Sequence, residues 1–411
     1  MSVPVKGPTA THLAVPAPVA APAAAPVGAD ERLHALDILR GFALFGMILV
    51  HFHQNMRIEV TGPEDLIAWG VYVLVEQKAW GTFAFLFGVG FAVLLRRLEA
   101  RGAAVVPIYL RRLAALALFG LVAEVGFGFS VLLEYACWGV ALLVIRRWST
   151  RALLATAAVS AAARPMAAGL TALHAWWAGA PLPPAPAERA LRQAVDLAAQ
   201  QGHYATLLSA RWALFLGGLP HGWRDLLPDV NLALFTLGLL AVRHGVLDEP
   251  KRHVRLIAGW MTFGALSWAV DWLGLGNVTT GVRGLDWPVR TGLGFVQDQW
   301  LCLAYIGAVV LLLAYRPAWT ARLAPIGRAG RLALTTYMLQ AAALDALASG
   351  YGAGLRLRPL VYAPAAGVFF TGIVLFSTWW LRRYRFGPLE WVWRTITYAR
   401  RQPFRRAATG V

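Results

Sequence analysis

The chain has 411 residues, of which 58% are hydrophobic and only 14% are charged, and its formal net charge is +17. A soluble domain carries about 25% charged residues, so this composition excludes an ordinary soluble fold and indicates an integral membrane protein. The arginines lie in short clusters between apolar runs, which is typical of membrane-protein loops and argues against a nucleic-acid partner.

The chain begins with an Ala/Pro-rich tail, residues 1–30, that has almost no charge. Its prolines interrupt the unbroken apolar core that a signal peptide needs, so we expect a disordered tail. The remaining segments are predicted to be an N-terminal transmembrane bundle at 31–175, an extracytoplasmic segment at 176–229, a C-terminal transmembrane domain at 230–398 and a basic cytoplasmic tail at 399–411.

Apolar runs close to the length of about 20 residues that a bilayer requires recur along the chain. The sequence therefore predicts an all-α, polytopic helical bundle with about ten transmembrane helices. The predicted spans are 36–55, 80–97, 109–128, 131–146, 151–174, 230–245, 254–274, 293–315, 330–349 and 360–382. A shorter run at 206–219 is interrupted by Arg211 and predicts a re-entrant or interfacial helix, preceded by a polar helix at 188–201.

Lysine and arginine are concentrated in alternate loops, and this asymmetry predicts the orientation of the spans. With ten spans, every basic loop and both termini fall in the cytoplasm. The sequence thus predicts a multi-pass protein of the plasma (inner) membrane whose main partner is the lipid bilayer. No feature of the sequence specifies an oligomeric state.

The first predicted span carries a stripe of polar residues. A helix turns about 100° and rises about 1.5 Å per residue, so Arg40 and His51 lie on one face, about 16 Å apart along the axis. Asp37 can pair with Arg40 at i,i+3, and Asn55 shares the face of His51. Charged groups are costly inside a membrane span, so those found there are candidate functional residues. The alternatives are a headgroup anchor for the Asp37–Arg40 pair and a satisfied interior histidine for His51.

Further polar groups occur in the later spans. Glu124 lies mid-span on the third helix, where it can pair with a cation or be neutral. In the ninth span we expect polar side chains to line a site or to bond helices together, namely Arg331, Thr335, Tyr337 and Gln340. Asp271, Asp298 and Asp345 lie near outer ends, where Arg283 and Arg290 could neutralise them.

Six motifs resemble those of one family. LDILRG at 36–41 is similar to the first span of the YeiB-like bacterial membrane proteins, which are related to heparan-α-glucosaminide N-acetyltransferase and, more remotely, to membrane acyltransferases. The other motifs that carry the resemblance are WGTFAFLFGVGF at 80–91, RRLAALALFGLV at 111–122, LLEYACWG at 132–139, GRLALTTYMLQ at 330–340 and FGPLEWVWRTITY at 386–398.

The resemblance implies a polytopic fold, a C-terminal domain of unknown function and, through the related enzymes, acyl transfer from acyl-CoA without a metal. In that reading Arg40, with Asp37, would bind the donor, and His51 or Glu124 would act as the base. Two departures matter. YeiB-like members usually carry Asn where this chain has His51, and the third span lacks the His that the family often shows there.

Three functions follow from these observations. The first is acyl transfer from cytoplasmic acyl-CoA to an outward-facing small-molecule, glycan or lipid-linked acceptor. The second is a transporter or flippase in which the same polar groups line a substrate path. The third is a non-catalytic membrane assembly protein whose motifs serve folding alone.

Overall fold

The computed structural model describes residues 34–179, 188–219, 226–273 and 286–406, with only the backbone described at 188, 271 and 286–297. The predicted disordered tail, Arg283 and the side chains of Asp271 and Arg290 lie outside what is described. Within the described ranges the chain is helical, and its only bridges are Arg57 with Leu357 and Tyr384 with Arg405.

Fifteen helices follow one another through the described residues, with a short π-helical segment, Tyr72–Glu76, between the second and the third. The helices are α1 His34–Met56, α2 Asp65–Val71, α3 Gln77–Ala100, α4 Val105–Phe127, α5 Leu132–Ile145, α6 Thr150–Trp177, α7 Glu188–Gln200, α8 Tyr204–Gly217, α9 Val230–Arg243, α10 Val254–Trp272, α11 Asp286–Tyr315, α12 Ala318–Arg331, α13 Ala333–Ala348, α14 Pro359–Arg383 and α15 Pro388–Tyr398.

The apolar helices confirm the predicted class, an all-α membrane protein. Six of them are long and apolar enough to cross a bilayer: α1, the continuous Asp65–Ala100, α4, α6, the Asp298–Tyr315 part of α11, and α14. Helices α5 and α9 and the Val254–Val270 part of α10 are apolar but shorter. All ten predicted spans overlap helices, while the number ten and the cytoplasmic placement of the termini remain predictions.

Helices α3 and α9 pack against each other through two glycines. A Cβ atom on Gly88 would overlap the backbone of Phe235, and one on Gly238 would overlap the backbone carbonyl of Phe85. Phe85 and Phe235 are both fully buried. Small residues allow membrane helices to approach this closely, so the LFGVGF motif has a packing function here.

The predicted span at 330–349 is divided in two. Leu332, with φ −101° and ψ 25°, ends α12 and precedes α13. Helix α12 crosses α1 closely, because a Cβ atom on Gly330 would overlap the carbonyl oxygen of Asp37. This crossing places Arg331 beside the charged end of α1.

The short run interrupted by Arg211 forms the helix α8, and the polar segment before it forms the helix α7; the re-entrant or interfacial placement of α8 remains a prediction. The Arg211 guanidinium binds both carboxylate oxygens of Asp345 on α13, at 2.9 and 2.5 Å. Asp298 on α11 pairs with Lys78 on α3. Asp298 and Asp345 thus have cationic partners on α3 and α8, while Arg283 and the side chain of Arg290, the cations expected from the sequence, lie outside what is described.

Candidate functional site

The polar stripe on α1 forms in part. Arg40 Nη1 lies 3.0 Å from Asp37 Oδ1, as the i,i+3 spacing predicts. The side-chain amide of Asn55 donates to the backbone carbonyl of His51 at 2.8 Å, so this hydrogen bond lies within α1. His53, on the other side of α1, contacts the Tyr362 hydroxyl at 2.8 Å and joins α1 to α14.

A cavity of about 320 Å³ lies between α1, α3, α4, α5, α12, α13 and α15. Arginines from six segments of the chain line one end of it, which we call the arginine end. They are Arg40, Arg97, Arg101, Arg112, Arg331, Arg385 and Arg394. Asp37 and Glu390 are the only carboxylates among its lining residues, so the cavity carries a strong positive charge.

The opposite end of the cavity, which we call the aromatic end, is apolar. Its walls come from the first turns of α3 and α5 and from the middle of α1 and α13, and its lining residues are Met47, Trp80, Phe83, Phe87, Tyr135 and Tyr337. From Trp80 to Arg97, α3 rises about 25 Å at 1.5 Å per residue. The cavity is therefore elongated, with cations at one end and rings at the other.

Aromatic rings fix several of the arginines. The Arg112 guanidinium lies 3.7 Å from the centroid of the Trp393 ring, and the Trp393 indole donates to the Arg112 carbonyl at 2.9 Å. Arg394 lies 4.6 Å from the centroid of the Phe386 ring. A guanidinium stacked on a ring keeps its charge and its planar orientation, which is the arrangement proteins use for phosphate groups.

Glu390 on α15 caps the N-terminus of α13. Its carboxylate accepts from the Thr335 backbone N–H at 3.0 Å and from the Thr335 hydroxyl at 2.5 Å. Burial raises the pKa of Glu390, and the hydrogen bonds from Thr335 and from the Leu334 backbone partly oppose that rise. This contact joins the two C-terminal motifs and assigns Thr335 to the wall behind the cavity rather than to its lining.

His51 and Gln340 form a buried pair behind the aromatic end. Gln340 Nε2 lies 3.2 Å from His51 Nδ1, and the His51 ring packs on Phe129 with centroids 4.2 Å apart. Neither member of the pair lines the cavity. Met47, one turn before His51, and Tyr337, one turn before Gln340, do line it. The pair thus lies one layer beyond the aromatic end.

Glu124 occupies the last turn of α4, so its expected mid-span position is wrong. Gly128, with φ 83°, ends α4 in the left-handed region that favours glycine, and the chain then turns into α5. The Glu124 carboxylate accepts the backbone N–H of Ser130 in this turn, and Arg192 and Arg211 act on it electrostatically. Glu124 is therefore at the edge of the bundle and is separate from the cavity.

The structure brings together only part of the predicted set. Asp37, Arg40, Arg331 and Tyr337 line the cavity. The sequence does not mark the arginines at 97, 101, 112, 385 and 394 as site residues, because basic residues at span ends indicate orientation. Only their convergence in space distinguishes them. Within the described residues no group of three His, Cys, Asp or Glu side chains could hold a metal ion.

The fold and the cavity together define a polytopic helical membrane protein with an arginine-lined internal site. The chain belongs to the YeiB-like family. It is 30% identical to YxaH of Bacillus subtilis (strain 168) over 410 residues, which covers 91% of this chain and 96% of that protein. It is 24% identical to YeiB of Escherichia coli (strain K12), with 89% of this chain and 96% of YeiB covered.

Two family models match separate parts of the chain. Residues 32–186 match the model described as heparan-alpha-glucosaminide N-acetyltransferase, catalytic, and residues 241–400 match the protein of unknown function DUF418. No solved structure matches. The first match is consistent with an acyltransferase-type activity, and the comparisons give no support to a transporter.

Proposed function

We propose that this protein transfers an acyl group from cytoplasmic acyl-CoA to a hydroxyl or amine of an outward-facing glycan or lipid-linked acceptor. The observation that carries the proposal is the cavity itself, with seven arginines at one end and an apolar, aromatic end opposite. The likeness of residues 32–186 to an N-acetyltransferase catalytic region supports the same chemistry.

The donor fits the cavity by charge and polarity. The arginine end would bind the phosphates of coenzyme A, since guanidinium groups bind phosphate oxygens in pairs. Asp37 holds Arg40 in place, and Trp393 holds Arg112. The uncharged arm of the donor would lie along Phe87 and Phe83, so that its thioester reaches the aromatic end.

The reaction then needs a nucleophile and a base. The acceptor oxygen or nitrogen attacks the thioester carbonyl carbon, a C–O or C–N bond forms, the C–S bond breaks, and coenzyme A leaves as a thiolate that takes up a proton. His51 would accept the acceptor's proton in this step on Nδ1, the ring nitrogen that Gln340 contacts, after the amide of Gln340 releases it. A base acts within about 3 Å of its proton or through one water, so the flexible Met47 side chain must move aside for His51 to reach the reacting atoms.

Binding of acetyl-CoA to the purified protein tests the donor site. We expect the double variant Arg101→Gln/Arg385→Gln to bind at least tenfold more weakly than wild type, because both side chains line the arginine end. The matched control is Arg382→Gln, which removes an exposed arginine outside the cavity lining. Equal loss of affinity in the control, or no binding by wild type, would overturn the proposal.

A further inference from the structure

The chain after α15 returns to the end of α14 and is fixed there by its backbone. The Arg406 N–H donates to the Arg383 carbonyl at 3.1 Å, and Tyr384 forms an antiparallel bridge with Arg405. The Phe404 ring packs on the Tyr384 ring, with centroids 4.8 Å apart. The last turn of α14 and the returning segment therefore lie side by side.

This return brings together four exposed arginines, which we call the tail arginine cluster. Arg382 and Arg383 end α14, and Arg405 and Arg406 lie on the returning segment. Arg383 faces Arg406 across a backbone hydrogen bond, and like charges placed opposite each other in an antiparallel pair repel. None of the four guanidinium groups has a hydrogen-bond or ion-pair partner among the residues that the structure describes. The backbone thus concentrates positive charge that the described protein does not offset.

The surrounding sequence offers no carboxylate to the cluster. From residue 346 to residue 411 the only acidic side chain is that of Glu390. Glu390 is buried, and its carboxylate accepts hydrogen bonds from Thr335 at the start of α13. The cluster therefore presents its charge to whatever surrounds this end of α14.

Lipid headgroups surround this end of α14. The helix is long and apolar enough to cross a bilayer, so its last turn, with Arg382 and Arg383, lies at headgroup level. Trp379, one turn earlier, is 45% exposed, and the Arg383 guanidinium lies 5.2 Å from its ring centroid. Tryptophan at the end of a span is typical of this level. Basic residues immediately beyond a span attract anionic lipids, and guanidinium groups match phosphate oxygens.

We propose that the tail arginine cluster binds the headgroup of an anionic phospholipid, with guanidinium groups from α14 and from the returning segment contacting its phosphate. The site is separate from the cavity, because none of the four arginines lines it. The lipid offsets the repulsion between the two segments and so holds the returning segment on α14. A zwitterionic lipid carries the same phosphate together with a cation, and it is therefore the weaker ligand.

Native mass spectrometry of the purified protein, titrated with phosphatidylglycerol or phosphatidylcholine in a neutral detergent, measures the affinity for the first bound lipid. We expect wild type to bind phosphatidylglycerol about tenfold more tightly than phosphatidylcholine. The variant Arg405→Gln/Arg406→Gln should lose this preference. Arg382→Gln/Arg383→Gln should lose it as well, since each double variant removes one side of the same site.

The matched control is Arg147→Gln/Arg151→Gln, which removes the same charge at two exposed arginines near the start of α6 and should keep the preference of wild type. Equal affinities of wild type for the two lipids, or an equal loss of preference in the control, would show that the cluster is no lipid site. If inorganic phosphate binds wild type as tightly as phosphatidylglycerol and displaces it, the cluster binds free phosphate and the assignment to a lipid is wrong.

Discussion

His51 on α1 and Gln340 on α13 meet at 3.2 Å between Nδ1 and Nε2, although 289 positions separate them in the chain. Gln340 is completely buried, and its Oε1 has no partner among the described residues. An amide nitrogen donates, so the ring nitrogen facing it is the acceptor and the proton of neutral His51 lies on Nε2. In this arrangement Gln340 sets the tautomer of His51.

Replacing Gln340 with Glu should reverse that tautomer. A carboxylate accepts hydrogen bonds, so in the neutral ring Nδ1 of His51 would carry the proton and Nε2 would be unprotonated. Nitrogen-15 NMR of histidine-labelled protein measures the change, with His51→Ala identifying the resonance. Gln340→Leu provides the comparison without a polar partner. An unchanged His51 tautomer in Gln340→Glu would show that Gln340 does not control it.

The ion pair between Arg211 and Asp345 should be a major source of stability for the contact between α8 and α13. Both side chains are less than one-tenth exposed, and the pair is bidentate. Removing one partner leaves a buried charge, so we expect Arg211→Met to lower the free energy of unfolding by about 3–5 kcal/mol. Thermal unfolding in detergent measures the loss.

Replacing Asp345 together with Arg211 completes the test of this ion pair. Arg211→Met/Asp345→Leu leaves no uncompensated charge, so the double variant should be more stable than Arg211→Met alone. Ser349 and Tyr351 donate to Asp345 at 2.9 and 3.0 Å, so they keep this acceptor in Arg211→Met and lose it in the double variant. A double variant that is no more stable than Arg211→Met would contradict a charge-pair explanation.

The Glu390 cap should give a pH-dependent stability. Because burial raises the pKa of Glu390 above its usual value, the folded state binds a proton more tightly than the unfolded state. The contribution of Glu390 protonation to the free energy of unfolding is therefore fully present below the pKa that Glu390 has in the unfolded chain. It is lost as the pH rises through the pKa that Glu390 has in the folded protein. Glu390→Gln keeps an acceptor for the Thr335 N–H and removes this titration. The difference in unfolding free energy, wild type minus Glu390→Gln, should decrease from acid to neutral pH.

Glu390→Ala provides the matched comparison for the cap itself. It removes the acceptor of the Thr335 N–H and hydroxyl, and loss of a helix cap costs about 0.5–2 kcal/mol. We expect this variant to be less stable than Glu390→Gln at neutral pH. Equal stability of the two variants would show that the α13 N-terminus does not depend on the side chain of residue 390.

Gly88 should not tolerate a side chain. A Cβ atom there overlaps the backbone of Phe235, so Gly88→Ala forces α3 and α9 apart and should destabilise the protein by about 1–3 kcal/mol. Gly367→Ala is the control, because a Cβ atom at Gly367 meets no atom within 4 Å. Denaturation in detergent compares the two, and similar stabilities would contradict the close packing of α3 on α9.

The sequence predicts the fold class well because hydropathy and run length follow directly from the bilayer. It also predicts local contacts, such as Asp37 with Arg40, since helical spacing fixes them. The contacts that build the cavity join residues far apart in the chain, and no periodicity reveals them. Arg112, Arg385 and Trp393 come together only after α4, α14 and α15 pack.

The sequence predicts the surroundings of single polar residues less well. His51 has the position along α1 that the spacing predicts, but Met47 and Tyr337 rather than His51 meet the cavity. Thr335 faces Glu390 because α13 begins at Ala333, a helix start that the continuous apolar run conceals. The positions of helix ends and of capping contacts determine whether a polar side chain lines the cavity or lies behind its lining. Hydropathy does not reveal these positions.

The most direct test of the central claim is transfer of radiolabelled acetyl from acetyl-CoA to an extract of membrane lipids and glycans by the purified protein. We predict that wild type labels a product in that extract and releases free coenzyme A in equal amount. His51→Ala, with acetyl-CoA binding retained, should lower the rate by about 100-fold or more, as expected for loss of a general base. Binding of acetyl-CoA without any labelled product, or labelling that is unchanged in His51→Ala, would contradict the account.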